Sequence, residues 1–302
     1  MRVLVTGANG FVGRHLCAHL RDAGDAVIEA RGPDAEGASI DLTSAASVRE
    51  AVEAARPEAV IHLAGFSSVA KSHQDPGGAF AVNALGAVHL LTALRDTAPR
   101  ARLLLIGSAE MYGAIPAGVR ATEDFPLRPL SPYAASKVAA EVAGLQFHRS
   151  AKMEVIAVRP FNHIGSGQAP HFVVPSFARQ IAEIRSGRAP AVLRAGDLTP
   201  VRDFSHVDDV VEAYALLVRR GVPGESYNVC SGEGRTIRSL LDEMLEIAGV
   251  EAHVEVDPAK LRPAEIPSLV GDPAKLRRLG WSPSRTVGDA LRESLDEATA
   301  AT

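Results

Sequence analysis

Residues 3–13 read Val3-Leu4-Val5-Thr6-Gly7-Ala8-Asn9-Gly10-Phe11-Val12-Gly13, and this stretch decides the fold. The first four residues carry a strand signal, and Phe11 to Ala23 carries helical periodicity that Gly24 closes. Three glycines spaced G-x-x-G-x-x-G lie between strand and helix. Glycine allows a tight turn and close backbone approach, and the helix N-terminus offers unpaired N–H groups and a positive dipole end. The stretch therefore predicts a dinucleotide-binding turn in which Gly7, Gly10, Phe11, Val12 and Gly13 face the cofactor diphosphate.

Working outward, the same alternation continues. Strands are expected at Val27–Glu29, Ala59–Ala64, Leu103–Ile106 and Val155–Val158, and helices at Ala45–Ala55, Phe80–Thr97 and Tyr133–Arg149. Near-continuous apolar strands separated by helices indicate a parallel sheet covered on both faces. The predicted fold class is α/β, a doubly wound parallel sheet of Rossmann type with a smaller mixed α/β C-terminal part. The pattern loosens after Pro160, where Gly, Pro and Gln cluster from Gly165 to Pro170. We expect a dinucleotide-binding domain over 1–164 with 201–230 returning to it, and a substrate-binding part over 165–200 and 231–302.

Bulk properties bound the function. The 302 residues are 46% apolar and carry a net charge of -4 without a block of like charges, which gives no footprint for nucleic acid or a lipid surface. Cys17 and Cys230 make neither a metal-type cluster nor a disulfide framework, as suits a reducing compartment. No signal-peptide layout is seen, and no apolar run is read as a membrane span. A cytoplasmic, membrane-free protein without a metal is the expectation.

Two further places bear on a cofactor. Folds of this type often end the second strand on an acid that binds the ribose 2′-OH. Here that place falls near Arg31, whose guanidinium suits a 2′-phosphate and favours NADP over NAD, although Glu29 lies close enough to confuse the register. Asp41-Leu42 lies downstream, where the carboxylate either accepts from the adenine amino group or enters the helix with Thr43 and Ser44.

Tyr133-Ala134-Ala135-Ser136-Lys137 puts a phenol and an ammonium four residues apart, on one helix face, after an N-cap and N1 pair, Ser131-Pro132. An ammonium beside a phenol is expected to lower its pKa, and the phenol then exchanges a proton with a carbonyl or alcohol oxygen as hydride moves. The strand Leu103–Ile106 opens onto Gly107-Ser108-Ala109-Glu110, so Ser108 lies where it can bond the same oxygen.

With these residues in place the sequence resembles the extended short-chain dehydrogenase/reductase family along nearly its whole length. The likeness runs through Gly7, Gly10 and Gly13, Asp41-Leu42, His62-Leu63-Ala64-Gly65, Asn83, Ser108, Tyr133 with Lys137, and Arg159-Pro160-Phe161-Asn162. It implies that Ser108, Tyr133 and Lys137 are catalytic and that Lys137 also holds the nicotinamide ribose. It adds Leu63, Ala64, Gly65, Asn83 and Pro160 to the cofactor site.

Arg159 to Gln168, reading RPFNHIGSGQ, looks like the branch that acts on GDP-linked sugars, and its ending is more like the 4-keto reductases than the 4,6-dehydratases. Within that branch the likeness assigns Arg202 and Arg262 to the substrate diphosphate and Glu265 to the guanine N1–H and N2–H edge. Ser67, Asn162 and Arg179 join the substrate residues. The implied activity is NADPH- or NADH-dependent reduction of a GDP-linked 4-keto-6-deoxyhexose. Glu110, two residues after Ser108, stands where the dehydratases keep a base, so dehydration or epimerisation on a bound NAD(P) is the alternative reading. Relatives of this kind often dimerise through a four-helix bundle, and Ala134, Ala135, Ala139, Ala140 and Ala143 give the Tyr133 helix a small-residue surface suited to it.

Overall fold

The computed structural model describes residues 1–32, 39–261 and 266–302. Arg262 and Glu265 lie outside the described residues. The elements in chain order begin β1 (Arg2–Thr6), α1 (Phe11–Asp22), β2 (Ala26–Ala30), α2 (Ala45–Ala55), β3 (Ala59–His62), α3 (Val69–Gln74), α4 (Pro76–Phe80), a π turn (Ala81–Leu85), α5 (Gly86–Thr97) and β4 (Arg102–Ile106). They continue α6 (Pro132–Ala151), β5 (Val155–Pro160), β6 (Asn162–Ile164), α7 (Val173–Arg185), β7 (Val192–Ala195), β8 (Val201–His206), α8 (Val207–Arg220) and β9 (Ser226–Val229). The chain ends with β10 (Gly234–Thr236), α9 (Ile237–Ala248), β11 (His253–Val256), β12 (Ser268–Leu269), α10 (Ala274–Arg277) and α11 (Val287–Ala300).

Six parallel strands form the main sheet in the order β2-β1-β3-β4-β5-β9. Both its faces are covered, which is why its strands read as unbroken apolar runs rather than alternating ones. Val3, Val5, Leu104, Ile106, Ile156 and Val158 point into a core shared with α1 and α8. Leu4, Leu103, Leu105 and Val155, the intervening residues, point into a second core under α2, α5 and α6. The strand order reverses between β1 and β3, and in such sheets a crevice opens there beyond the carboxyl ends of the strands.

A smaller sheet holds β6, β8, β10 and β12, and β7 pairs with β11. These strands share a separate core with α7, α9 and α11, around Phe177, Leu193, Phe204, Leu240 and Leu291. Residues 201–206 were expected among the segments returning to the main sheet. They instead form β8, the centre of the smaller sheet, because Val201–His206 pairs with β6, β10 and β12. The return begins at α8 and ends with β9, which lies beside β5.

The helix expected from Phe80 starts earlier, at Pro76, where the Asp75 side chain accepts from the Gly78 N–H. The continuous helical run Pro76–Thr97 is, by length and composition, apolar enough to cross a membrane. This corrects the expectation that no such run exists. In the fold its α5 part packs against α2 and α6 and buries Leu90, Leu91 and Leu94 in the core.

Candidate active site

The glycine turn is built by its own backbone. Gly7 has φ +72°, and a Cβ there would lie 2.8 Å from the Ala64 nitrogen, so the turn after β1 and the loop after β3 touch. A Cβ on Gly13 would lie 2.2 Å from the Gly7 carbonyl oxygen. Gly10 is the N-cap of α1 but provides no side-chain cap, and the first turn holds no acid. The N–H groups at that helix end are therefore available to an anion, which is the donor set a dinucleotide diphosphate needs. The Phe11 ring stacks on His163 of β6, with centroids 6.0 Å apart, and so joins the turn to β6.

At the end of β2 the register follows from its pairing with β1. Glu29 lies inside β2, opposite Val5, and Arg31 is the first residue past the strand. Arg31 Nη2 donates to Glu29 Oε2 at 2.9 Å, while Arg21 bonds the other oxygen; these two cations, Arg21 foremost, hold the Glu29 carboxyl below its usual range. The residue just past β2 is thus a guanidinium, paired with the acid inside the strand. Asp41 Oδ1 accepts from Thr43 N at 2.9 Å and Thr43 Oγ1 at 2.7 Å, and Ser44 caps α2, so Asp41 does take part in the helix entry. Leu42 is buried against Gly86 of α5.

The loop after β3 is held by Asn83, which sits in the π turn. Its Oδ1 accepts from Phe66 N at 2.8 Å, and its Nδ2 donates to Phe66 O at 3.1 Å and Ser136 Oγ at 2.9 Å. Single π turns inside α-helices often mark functional positions, and this one holds a buried amide against Phe66 and beside Gly65, where an added Cβ would lie 2.7 Å from Asn83 Oδ1. Thr6 Oγ1 lies 2.8 Å from His62 Nδ1 and accepts from Ala64 N at 3.2 Å. Burial, then the charge of Lys137, pulls His62 down to about 3, so it is neutral.

Ser108, Glu110, Tyr133 and Lys137 come together at the end of β4. Ser131 caps α6 by accepting from Ala134 N at 3.1 Å, and Ser72 Oγ of α3 accepts from Tyr133 N at 3.1 Å, fixing the start of the helix twice. Tyr133 and Lys137 share the face of α6 turned to β4. The Tyr133 hydroxyl is hydrogen-bonded to Ser108, whose Oγ also accepts from Glu110 N at 3.2 Å. Lys137 Nζ donates to Ile106 O at 2.9 Å and would lie 3.4 Å from a Cβ on Gly65, so it spans the gap between the β4 and β3 ends.

One electrostatic expectation is corrected. Lys137 was expected to lower the Tyr133 pKa, yet burial raises it, the Ser108 hydrogen bond opposes this, and the negative charge of Glu110 adds to the rise. The reason lies in where the ammonium goes: Lys137 is buried against the Ile106 carbonyl, and burial pulls its own pKa down to about 8. The phenol is consequently protonated at neutral pH, as a proton donor must be.

The remaining expected residues are more dispersed. Pro160 is buried at the end of β5, opposite Val229, while Asn162 begins β6 and is exposed. Ser67 is exposed one residue after Phe66, the residue that Asn83 holds. Arg202 is buried in β8 and donates to Val201 O at 3.0 Å. Its neighbour Asp203 does not pair with it at the surface. That carboxylate is fully buried and accepts from Ser231 N and Oγ, Gly232 N and Gly271 N. Arg179 stands apart, lining a cavity of about 530 Å³ between α7 and α11 that touches none of Ser108, Glu110, Tyr133 and Lys137. Ser72, Ser136 and His62 support the site through contacts that no local sequence pattern announces. Among the described residues no group of His, Cys, Asp and Glu is arranged to hold a metal.

A glycine turn after β1 at a strand-order reversal, together with a Ser-Tyr-Lys group at the end of β4 and on α6, defines a nicotinamide-dependent oxidoreductase of the short-chain type. The chain belongs to the GDP-mannose 4,6 dehydratase family, within the extended short-chain dehydrogenases and reductases; that family matches residues 4–294. The chain is 39% identical over 298 residues to GDP-6-deoxy-D-mannose reductase of Pseudomonas aeruginosa, covering 98% of this chain and 96% of that one. A solved structure of RMD from Pseudomonas aeruginosa complexed with NADPH superposes with a TM-score of 0.91 at 36% identity, covering 100% of both chains. A UDP-glucose 4-epimerase of Thermus thermophilus in complex with NAD gives 0.90 at 34% identity, again over 100% of both chains.

Proposed function

We propose that this protein reduces the 4-keto group of a GDP-linked 4-keto-6-deoxyhexose, GDP-4-keto-6-deoxy-D-mannose, to GDP-D-rhamnose or its C4 epimer GDP-6-deoxy-D-talose. The observation that carries the reading is the Tyr133 hydroxyl hydrogen-bonded to Ser108 at the end of β4, with Lys137 one helical turn on and bonded to Ile106 O. The likeness to GDP-6-deoxy-D-mannose reductase supports the choice of sugar nucleotide. When bound, the reduced nicotinamide supplies the hydride that C4 receives. Tyr133 gives its proton to the C4 oxygen as that oxygen becomes an alkoxide, and Ser108 bonds and orients the same oxygen. Lys137 holds the nicotinamide ribose from below, where its Nζ already faces Gly65. Gly7, Gly10, Phe11, Val12 and Gly13 hold the diphosphate, Asp41 and Leu42 border the adenine, and Arg31 takes the 2′-phosphate, so NADP is the cofactor preferred over NAD. Arg202, with Arg262, binds the substrate diphosphate. Glu265 reads the guanine, and Ser67 and Asn162 complete the substrate site, while Arg179, in its separate cavity between α7 and α11, is left out of it. The larger sheet thus serves the cofactor and the smaller sheets the nucleotide sugar.

Mixing the enzyme with freshly made GDP-4-keto-6-deoxy-mannose and NADPH or NADH should consume reduced nicotinamide stoichiometrically, faster with NADPH. A second reading rests on Glu110, whose charge acts on Tyr133 as a base beside the reacting centre would. Turnover of GDP-mannose without added cofactor, and no loss of nicotinamide absorbance with the ketosugar, would establish dehydration instead.

The same reading includes a cytoplasmic homodimer. Cys17 and Cys230 are both free and buried, which suits a reducing compartment. Phe80, Leu85 and Val142 are exposed on the helical run before β4 and on α6, whereas Ala134 and Ala140 are buried within the subunit. The large apolar residues, rather than those two alanines, are the ones a four-helix bundle would cover. Sedimentation should give twice the 31.8 kDa chain mass, and Leu85→Glu should return it to the monomer.

A further inference from the structure

Beneath the Ser108 turn lies a buried polar cluster that the reaction itself does not use. Arg159 of β5 meets Glu141 of α6 through two parallel bonds, Nη2 to Oε1 at 2.5 Å and Nε to Oε2 at 3.1 Å. Both side chains are almost wholly buried, at 7% and 4% exposure. Arg159 Nη1 donates to the Tyr112 hydroxyl at 2.9 Å and to Glu123 O at 2.7 Å. The Tyr112 hydroxyl donates a hydrogen bond to Asn228 Oδ1 at 2.6 Å, and Ser226 Oγ donates to Glu141 Oε1 at 3.0 Å. The Arg159 guanidinium also faces the Tyr112 ring, 5.2 Å from its centroid.

The elements joined are those that carry the reacting groups. Tyr112 ends the short 3₁₀ turn that Ser108 caps, and α6 carries Tyr133, Lys137 and Glu141 at successive intervals of four residues. Along that one helix face Tyr133 meets Ser108, Lys137 meets Ile106 O, and Glu141 meets Arg159. Tyr112 belongs to both the cluster and the turn that Ser108 caps, and a Cβ added to Gly107, the residue before Ser108, would lie 3.8 Å from Glu141 Oε2, so the cluster borders that turn. A buried ion pair is weak evidence for stability, because desolvation offsets much of the attraction. What a bidentate pair does supply is a fixed geometry.

We infer that Arg159, Glu141 and Tyr112 form a positioning brace that sets the Ser108 hydroxyl against the Tyr133 phenol. None of the three touches the reacting atoms. The inference rests on Ser108 and Tyr133 being the reacting centre, as proposed above.

Two variants and two kinds of readout test it. Tyr112→Phe keeps the ring and removes one hydroxyl, and Glu141→Gln keeps the shape and removes the charge. In each, kcat for the ketosugar should fall by about 10- to 100-fold, the scale of an ångström-sized misplacement, with NADPH affinity and KM unchanged. The deuterium isotope effect from labelled NADPH should rise, because a slowed chemical step becomes more fully rate-limiting. A crystal structure of Tyr112→Phe should show Ser108 Oγ displaced from the Tyr133 hydroxyl. A lower Tm with unchanged kcat and isotope effect, or an undisturbed Ser108–Tyr133 pair in that crystal, would overturn the brace. If the wild type reduces no ketosugar, the proposed function has failed, and the crystallographic comparison alone decides the brace.

Discussion

Replacing Tyr133 by Phe is expected to lower kcat for ketosugar reduction by about 10²–10⁴-fold, the range a positioned general acid contributes. The benzene ring keeps its place between Ser108 and the start of α6, since the helix entry is fixed by Ser131 and Ser72 rather than by the phenol. NADPH should therefore bind as tightly as to the wild type, which fluorescence quenching would measure. An active variant would remove Tyr133 from the proton step. The wild-type pH profile offers an independent check. Lys137 is charged below its pKa and loses that charge as pH rises through it, and burial brings that value from the usual lysine range down to about 8. The Tyr133 phenol is shifted the other way, so it remains protonated past the point where Lys137 is neutral. For the free enzyme, kcat/KM should accordingly fall as pH rises through about 8, and the group lost first is the lysine, not the tyrosine.

Much of this site was legible because its chemistry is local. The Gly7–Gly13 spacing, the Tyr133–Lys137 interval and the Ser131-Pro132 cap all lie within one or two turns of chain, and each formed where the sequence placed it. The smaller sheet was not legible. Asn162-His163-Ile164 and Gly234-Arg235-Thr236 are three-residue strands without an apolar run, and only pairing with a distant β8 makes them strands at all. The register at Arg31 could not be read either, since Glu29 and Arg31 differ by one pleat and only pairing with Val5 places Glu29 inside the sheet. Electrostatics failed for the same reason. Whether Lys137 serves the phenol or a carbonyl depends on Ile106 O, which is 31 residues away in sequence. The Arg159 brace has partners 18 and 47 residues away, so no window of sequence displays it.

The glycine turn supplies the second large effect. Gly13→Ala should abolish NADPH binding and destabilise the fold by about 1–3 kcal/mol or more, the usual cost of overpacking. The added Cβ would sit 2.2 Å from the Gly7 carbonyl oxygen and 2.8 Å from Ala8 backbone atoms, and backbone cannot swing aside as a side chain does. Relief requires the 7–10 turn to lift from α1, which separates the helix N-terminus from the loop that completes the diphosphate cradle. Gly24→Ala is the matched control. Gly24 closes α1 at φ +81° with nothing within 4 Å of an added methyl, so its substitution costs only the left-handed backbone penalty of about 1–2 kcal/mol and leaves the cradle intact. Thermal melts with and without saturating NADPH separate the two. A ligand that binds only the native state raises Tm in proportion to ln(1 + [L]/Kd). Wild type and Gly24→Ala should both show that rise, the latter from a lower starting point, and Gly13→Ala should show none. A Gly13→Ala protein whose Tm still climbs with NADPH would mean that the cofactor is held elsewhere than at the start of α1.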